Sequence, residues 1–354
     1  MRFNNYPLIK DRKIRVGLVG CGRISKSHIA AILQYPDYLE IVAFCDIDLS
    51  KLENLTAQHK VEGYLDLAQM LEAECLDLLV LCTPSGLHPK QAILAANYGV
   101  HVVSEKPMAT RYSDALKMVE ACDDGGVRLF VVKQNRFNST IQLLKRAINE
   151  GRFGEIKLVQ VNVFWTRPQD YYNQGNGWRG TWEFDGGAFM NQASHYVDLL
   201  CWLIGPIERV QALMSTSRQI EAEDTGVLNL KWRSGALGSM AVTMLTYPKN
   251  LEGSITVLGE KGTVKIGGVA VNEIQTWDFL ERFSYDEGVN AASYETSSLY
   301  GFGHALYYKN VIEALHGMSE SAIDGREGLK SLELLTAAYI SARDGKSVGL
   351  PLNL

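Results

Sequence analysis

The sequence predicts an α/β chain of two domains. A parallel sheet covered by helices spans residues 1–132, and an α+β domain with an open, mainly antiparallel sheet spans 133–354. Three observations carry this. Short apolar runs alternate with helical segments up to Val132, consecutive β-type runs joined by tight turns follow Gly205, and 354 residues exceed one ordinary core.

In the first half, KIRVGLVG leads into helical residues 24–33, and LEIVAFCD into 49–60. LDLLVLCTP leads into a helix from His88, VHVVSEKP into 113–122, and VRLFVVKQN closes the set. Runs this apolar, separated by helices, fit strands buried on both faces. In the second half, a helix over 139–150 precedes EIKLVQVNVFWT and an aromatic, glycine-rich loop over 167–186. After the helical stretch GGAFMNQASHYVDLLCWLIG come ERVQALMSTS, TGVLNLKW, GALGSMAVTML, SITVLG, GTVKIGG and VNEIQTWDF, with turns such as GEKG between them. Helices near 303–316 and 328–342 complete the chain.

Composition narrows the function classes. With 46% hydrophobic and 21% charged residues the chain reads as an ordinary globular protein. A net charge of -5 gives no reason to expect a nucleic-acid or anionic-membrane partner. No apolar run is long enough to cross a bilayer, and MRFNNYPLIKDRK lacks the apolar core of a signal peptide. The six cysteines show no C-x-x-C spacing and mostly sit in apolar runs, where reduced cysteine packs as a small hydrophobe. The expectation is a cytoplasmic protein without metal or disulfide.

The first turn, VGCGRISKSH, places Gly20-x-Gly22-x-x-Ser25 between a strand and a helix, the context of a dinucleotide fingerprint in a Rossmann-type domain. Gly20 permits the tight turn, Gly22 lets backbone approach a pyrophosphate, and Arg23 and Ile24 lie within the same turn. Asp46 ends the second strand, where a carboxylate accepts the adenosine ribose 2′-OH and repels a 2′-phosphate. Asp48 and Ser50 are available to cap the next helix, which leaves Asp46 to the ribose and favours NAD over NADP. Two more strand ends, CTPSGLH with Thr83, Pro84 and His88, and SEKPMA with Glu105 and Lys106, fall on the ligand edge of such a sheet.

In the second half, Asn191, His195 and Asp198 fall at i, i+4 and i+7, on one face of a predicted helix. Phe189, Ala193, Val197, Leu200 and Ile204 form its core face. The polar stripe is equally compatible with a site and with a satisfied, half-buried histidine. The preceding loop holds Trp165, Tyr171, Tyr172, Trp178 and Trp182 with Arg167 and Arg179, and guanidinium pairs bidentately with carboxylate or phosphate.

Together TPSGLH, SEKPMA and DGGAFMNQASHYVD resemble the Gfo/Idh/MocA family of sugar and cyclitol oxidoreductases, and the resemblance runs to the final SLELLTAAYISARDGKSVGLP. QNRFN, TRPQDYY, WRGTW, MNQASHYVDLL and EDTG most resemble a narrower group, the bacterial UDP-N-acetyl-2-amino-2-deoxyglucuronate 3-dehydrogenases of surface-polysaccharide synthesis. Many members of the broad family carry Asp where this chain has Asn191, which weakens a simple Asp–Lys–His relay and agrees with the narrower group. The resemblance implies a homo-oligomer, a tetramer, that covers the open sheet face. It also implies Trp178 and Arg179 beside the nicotinamide, and Arg167 and Tyr171 toward the substrate.

The resulting cofactor set is Gly20, Gly22, Arg23, Ile24, Asp46, Ile47, Thr83, Pro84, His88, Glu105, Lys106, Gln134, Trp178 and Arg179, and the cofactor is NAD. The substrate set is Lys106, Trp165, Arg167, Tyr171, Tyr172, Asn191 and His195. His195 and Lys106 form the expected catalytic pair, His195 as base and Lys106 as partner of the hydroxyl. The expected reaction is oxidation of the sugar C3 hydroxyl of UDP-N-acetylglucosaminuronic acid. Three other readings share the fold: a dehydrogenase of a free sugar or inositol, a lyase using NAD transiently, and a non-catalytic NAD-binding regulator.

Overall fold

The computed structural model describes residues 6–174, 177–296, 301 and 303–353, so residues 175 and 176 of the aromatic loop lie outside the description. The chain divides into two compact units. The first runs to Lys133 and includes His304–Leu329; the second comprises Gln134–Gly303 and the segment from Lys330 on.

The first unit is built on β1 (Ile14–Val19), α1 (Ser25–Ile32), β2 (Leu39–Cys45), α2 (Leu49–His59), β3 (Glu62–Tyr64), α3 (Leu67–Ala73) and β4 (Leu78–Leu81). It continues with α4 (His88–Asn97), β5 (His101–Ser104), α5 (Tyr112–Asp124) and β6 (Leu129–Val131). The strands pair in parallel in the order β3-β2-β1-β4-β5-β6, that of a dinucleotide-binding sheet. All four residues of β4 and of β5 are buried, as helices on both faces require. The strand β3 went unread in the sequence because it is three residues long and two of them are exposed.

The second unit contains α6 (Ser139–Asn149), β7 (Ile156–Phe164), α7 (Gln169–Asn173) and α8 (Ser194–Ile204). Six strands follow: β8 (Ile207–Ser215), β9 (Thr225–Trp232), β10 (Leu237–Thr243), β11 (Glu252–Gly259), β12 (Gly262–Gly267) and β13 (Glu273–Phe279). The C-terminal elements are α9 (His304–Leu315), α10 (Gly325–Asp344) and β14 (Val348–Gly349). The sheet order is β13-β12-β11-β7-β10-β9-β8-β14, antiparallel except for β7 against β10. Strand β9 alternates exposed and buried residues along its length, the mark of a sheet with one open face.

One assignment is corrected. Sequence reading gave all of 133–354 to the second domain, yet α9 packs within the first unit. There His304, Tyr307 and Tyr308 are buried, and Tyr308 reaches His28 of α1. An amphipathic helix shows which face it buries but not against which domain. Among the described residues no helix is long and apolar enough to cross a membrane.

Candidate active site

In the first unit the candidate site is made of main chain. Gly20 has φ +94°, and a Cβ there would stand 2.7 Å from the carbonyl carbon and oxygen of Cys82. Glycine is therefore demanded twice, by the left-handed backbone and by the neighbouring strand end. A Cβ on Gly22 would meet nothing within 4 Å, so the space in front of the α1 N-terminus is open to a ligand. Arg23 is exposed and Ile24 half-buried beside it.

Asp46 is more engaged than the sequence suggested. Its Oδ2 accepts the Cys21 N–H at 2.6 Å and its Oδ1 accepts the Asp48 N–H at 2.8 Å, tying the glycine turn to the end of β2. Each carboxylate oxygen has a second lone pair, so a ribose hydroxyl still finds an acceptor. The helix cap falls to Asp48, which accepts from the Ser50 and Lys51 amides. Ile47 is 92% exposed beside Asp46, an apolar side chain in water at the ligand edge.

His88 and Glu105 change role. His88 is fully buried, with Nε2 2.9 Å from the Thr83 carbonyl and Nδ1 3.1 Å from the Pro107 carbonyl. Burial lowers its pKa, so the neutral ring donates to one of these two carbonyls, and both nitrogens face main-chain oxygen inside the protein. Thr83 gives its hydroxyl to Gln91, and Pro84 precedes a short 3₁₀ turn, Ser85–Leu87. Buried Glu105 accepts from His28 Nε2 at 3.0 Å and from the Lys106 main-chain N–H at 3.0 Å, and His304 Nε2 stands 4.0 Å away.

Burial pushes the Glu105 carboxyl up, but the His28 hydrogen bond, then the nearby His304 ring and last the Lys106 charge outweigh it and hold it well below the usual carboxylate range. Burial lowers His28, so the neutral ring accepts a hydrogen bond from the Tyr308 hydroxyl at Nδ1 (2.7 Å) and donates from Nε2. His28, Glu105 and His304 bring metal-ligand atoms within 4.8 Å of one another, and the His28–Glu105 pair closes as a hydrogen-bond chain. What this chain fixes is the backbone at Lys106, which is half-buried.

In the second unit the site is made of side chains. His195 is the second residue of α8 and is 2% exposed, with Nε2 3.3 Å from Gln134 Nε2. A glutamine amide offers a donor or, after rotation, an acceptor, so Gln134 can serve His195 in both protonation states. Asp198 answers the question its stripe raised: it forms a buried, bidentate pair with Arg136, both contacts at 2.7 Å. The guanidinium also lies 5.3 Å from the Trp202 ring. Asp198 therefore anchors α8 to the 134–137 turn, and Arg136 was missed although QNRFN was singled out.

Asn191 lies in the turn before α8, not on the helix, and its amide donates to Asp185. The helix starts late because Gly186 has φ +76° and the 187–193 segment turns on itself through Asn191 N–H to Gly187 O (2.9 Å).

The aromatic loop divides in two. Trp165 is fully buried, with its indole N–H spent on the Val269 carbonyl at 3.0 Å. Tyr172 is likewise buried. Half-buried Arg167 lies over Trp165 and Tyr171 at 5.6 and 5.4 Å. Arg179 lies over Tyr171 and Trp178 at 4.4 and 5.4 Å, and donates to the Tyr171 carbonyl at 2.7 Å. Both guanidiniums are stacked and oriented before any ligand arrives.

Two family models match the chain: residues 14–133 fit the NAD-binding Rossmann fold, and residues 145–350 the C-terminal alpha/beta domain, of the Gfo/Idh/MocA oxidoreductases. The chain belongs to that family. A solved WlbA dehydrogenase from Bordetella pertussis, in complex with NADH and UDP-GlcNAcA, is 62% identical with TM-score 0.95, covering 98% of this chain and 100% of that one. Its counterpart from Chromobacterium violaceum, with the same two ligands, is 60% identical with TM-score 0.94, covering 98% and 99%. A D-apiose dehydrogenase from Paraburkholderia graminis is 28% identical, covering 96% of this chain and 90% of its own. As a family member the protein is an NAD-dependent oxidoreductase, and the open space at Gly22, the acceptor Asp46 and the exposed Ile47 fit that cofactor.

Proposed function

We propose that this protein oxidises the sugar C3 hydroxyl of UDP-N-acetylglucosaminuronic acid with NAD, in the cytoplasm, for lipopolysaccharide or O-antigen synthesis. The observation that carries the reading is 62% identity, across 98% of the chain, to a dehydrogenase solved with NADH and UDP-GlcNAcA. Independent support comes from Arg167 and Arg179, two oriented guanidiniums that suit a ligand with a carboxylate and a diphosphate.

In this reading NAD supplies the hydride acceptor. His195 takes the hydroxyl proton and Lys106 binds the oxygen as negative charge develops on it. Asn191, held by Asp185, orients the sugar. The test is an assay of NADH formation, or of 3-keto sugar if NADH stays bound, on three compounds. UDP-N-acetylglucosaminuronic acid should exceed UDP-N-acetylglucosamine by roughly ten- to over a hundredfold, the value of one charge-assisted contact. Comparable activity on the uncharged sugar, or preference for free inositol, overturns the substrate.

The same reading makes the protein a homo-oligomer, a tetramer. Across the open face of the second sheet the paired rows Gln160–Ser239–Asn229–Gln211 and Asn162–Ala241–Val227–Leu213 hold no charge, and Leu213 is 68% exposed. These two rows form an uncharged, partly apolar strip on that face, next to the charged row of Lys231 and Arg209, and such a strip is what a second copy covers. Light scattering on the parent and on Leu213→Asp tests it: a tetramer dissociated by the aspartate supports the reading, and a monomeric parent removes it.

A further inference from the structure

We propose that Glu223 is a positioning residue for the reaction, a buried carboxyl that fixes the 186–189 turn and through it the places of Asn191 and His195. The inference rests on the reading above for the roles of those two residues. Glu223 belongs to the EDTG stretch just before β9 and is 3% exposed. Its Oε1 accepts the Phe189 N–H at 2.9 Å and the Tyr339 hydroxyl at 3.0 Å. Its main-chain carbonyl accepts the Ala188 N–H at 2.8 Å. One residue thus holds two successive amides of the turn.

The neighbouring glycine records the same contact. Gly187 has no left-handed φ, yet a Cβ there would fall 2.0–2.3 Å from the Glu223 carboxyl atoms. Gly186 is glycine for its backbone; Gly187 is glycine for Glu223. From this turn the chain is carried straight into the site, by Asn191 N–H to Gly187 O at 2.9 Å and Ala193 N–H to Ala188 O at 2.8 Å. His195 follows two residues later.

A buried carboxyl without a cation is an expensive way to pack a core. Among the described residues the titratable groups against Glu223 are Asp224 beside it and the Tyr339 phenol of α10, and neither is a cation. Burial pushes its carboxyl up to about 7, against the pull of the Phe189 N–H. Oε2 has no hydrogen-bond partner among the described residues. An apolar side chain would fill this space more stably, but it would not hold the Phe189 amide.

The experiment uses Glu223→Ala, Glu223→Gln, Gly187→Ala and the Glu223→Ala/Gly187→Ala double variant in the full-length protein. Three readouts are followed: turnover of UDP-N-acetylglucosaminuronic acid, NAD affinity, and hydrogen exchange of the 187–193 amides, which needs no substrate. E223A should lower kcat roughly 10- to 100-fold with KM and NAD affinity nearly unchanged, the effect of misplacing a group far from its own chemistry. Exchange at 187–193 should rise about tenfold or more as the turn opens locally. E223Q keeps the acceptor and should restore both to within about threefold. G187A should reproduce E223A, and the double variant should be no worse than G187A, since the Cβ then has room.

Parental kcat and parental exchange in folded E223A overturn the proposal. So does a loss of kcat in E223A that E223Q fails to rescue. Should E223A not fold, E223Q decides through pH. A raised carboxyl stabilises the closed turn fully below its usual 4.5 and loses that contribution as pH rises through about 7, so parental protection at 187–193 falls across that window. In E223Q it should be flat, and a flat parent overturns the proposal. If the parent leaves the nucleotide sugar unoxidised, the substrate reading fails, while exchange still settles the role of Glu223.

Discussion

The glycine turn after β1 and the glycine turn before α8 both carry a candidate site, and they are fixed by different means. At Gly20 the constraint is backbone against backbone: a left-handed φ, and the main chain of Cys82 at 2.7 Å. At Gly187 it is a side chain from 36 positions further on, Glu223, that excludes a Cβ. The first turn therefore offers a ligand its amides and a sheet edge. The second offers side chains whose positions depend on Asp185, Glu223, Tyr339 and Arg136. A site made of main chain tolerates change around it; a site made of partnered side chains does not.

The largest break in that comparison is chemical. Lys106→Met and His195→Asn should each lower turnover by about 10²–10⁴-fold, the usual worth of a positioned proton-transfer group. NAD affinity should stay within about twofold in His195→Asn and fall far less than turnover in Lys106→Met, because the glycine turn is untouched, and the double variant should be far less than additive. Steady-state kinetics and NAD titration read this out; near-parental rates in His195→Asn would remove the helix from the site.

Next in size is the anchor of α8. Asp198→Ala removes the buried carboxylate that takes both contacts from the Arg136 guanidinium, which should destabilise the protein by about 3–5 kcal/mol in urea unfolding. No change in the unfolding midpoint would mean that water reaches the pair. A smaller effect belongs to the first turn. Asp46→Ala should weaken NAD roughly ten- to hundredfold and narrow its lead over NADP, since the carboxylate both accepts the ribose hydroxyl and braces the Cys21 amide. Equal affinity of the parent for both cofactors would refute that assignment. The smallest effect sharpens the same point two residues on: Asp48→Ala removes the α2 cap and should lower Tm by about 2 °C with NAD affinity unchanged. A cofactor defect there would show that the cap and the ribose acceptor are not separate.

By itself the sequence determined the longer elements and the first turn, though not the short strand β3 or the start of α8. Strand and helix periodicity are properties of consecutive residues, and Gly20, Gly22 and Asp46 act through backbone geometry that their spacing alone specifies. It also marked the polar stripe at His195 and Asp198, because charge is scarce between Gly187 and Ile204. Only the tertiary structure decided which marked residues are held inside the protein and what holds them. His88, Glu105, Trp165 and Tyr172 proved buried, with the His88 ring nitrogens facing main-chain carbonyls and the Glu105 carboxylate and Trp165 indole N–H hydrogen-bonded inside the protein. Asn191 left the helix for the turn, and Arg136, Asp185 and Glu223 emerged as the holders of the second site. The physical reason is range. A hydrogen bond between Phe189 and Glu223, or Arg136 and Asp198, joins residues 34 and 62 positions apart, and no local pattern encodes a partner that only folding brings within 3 Å.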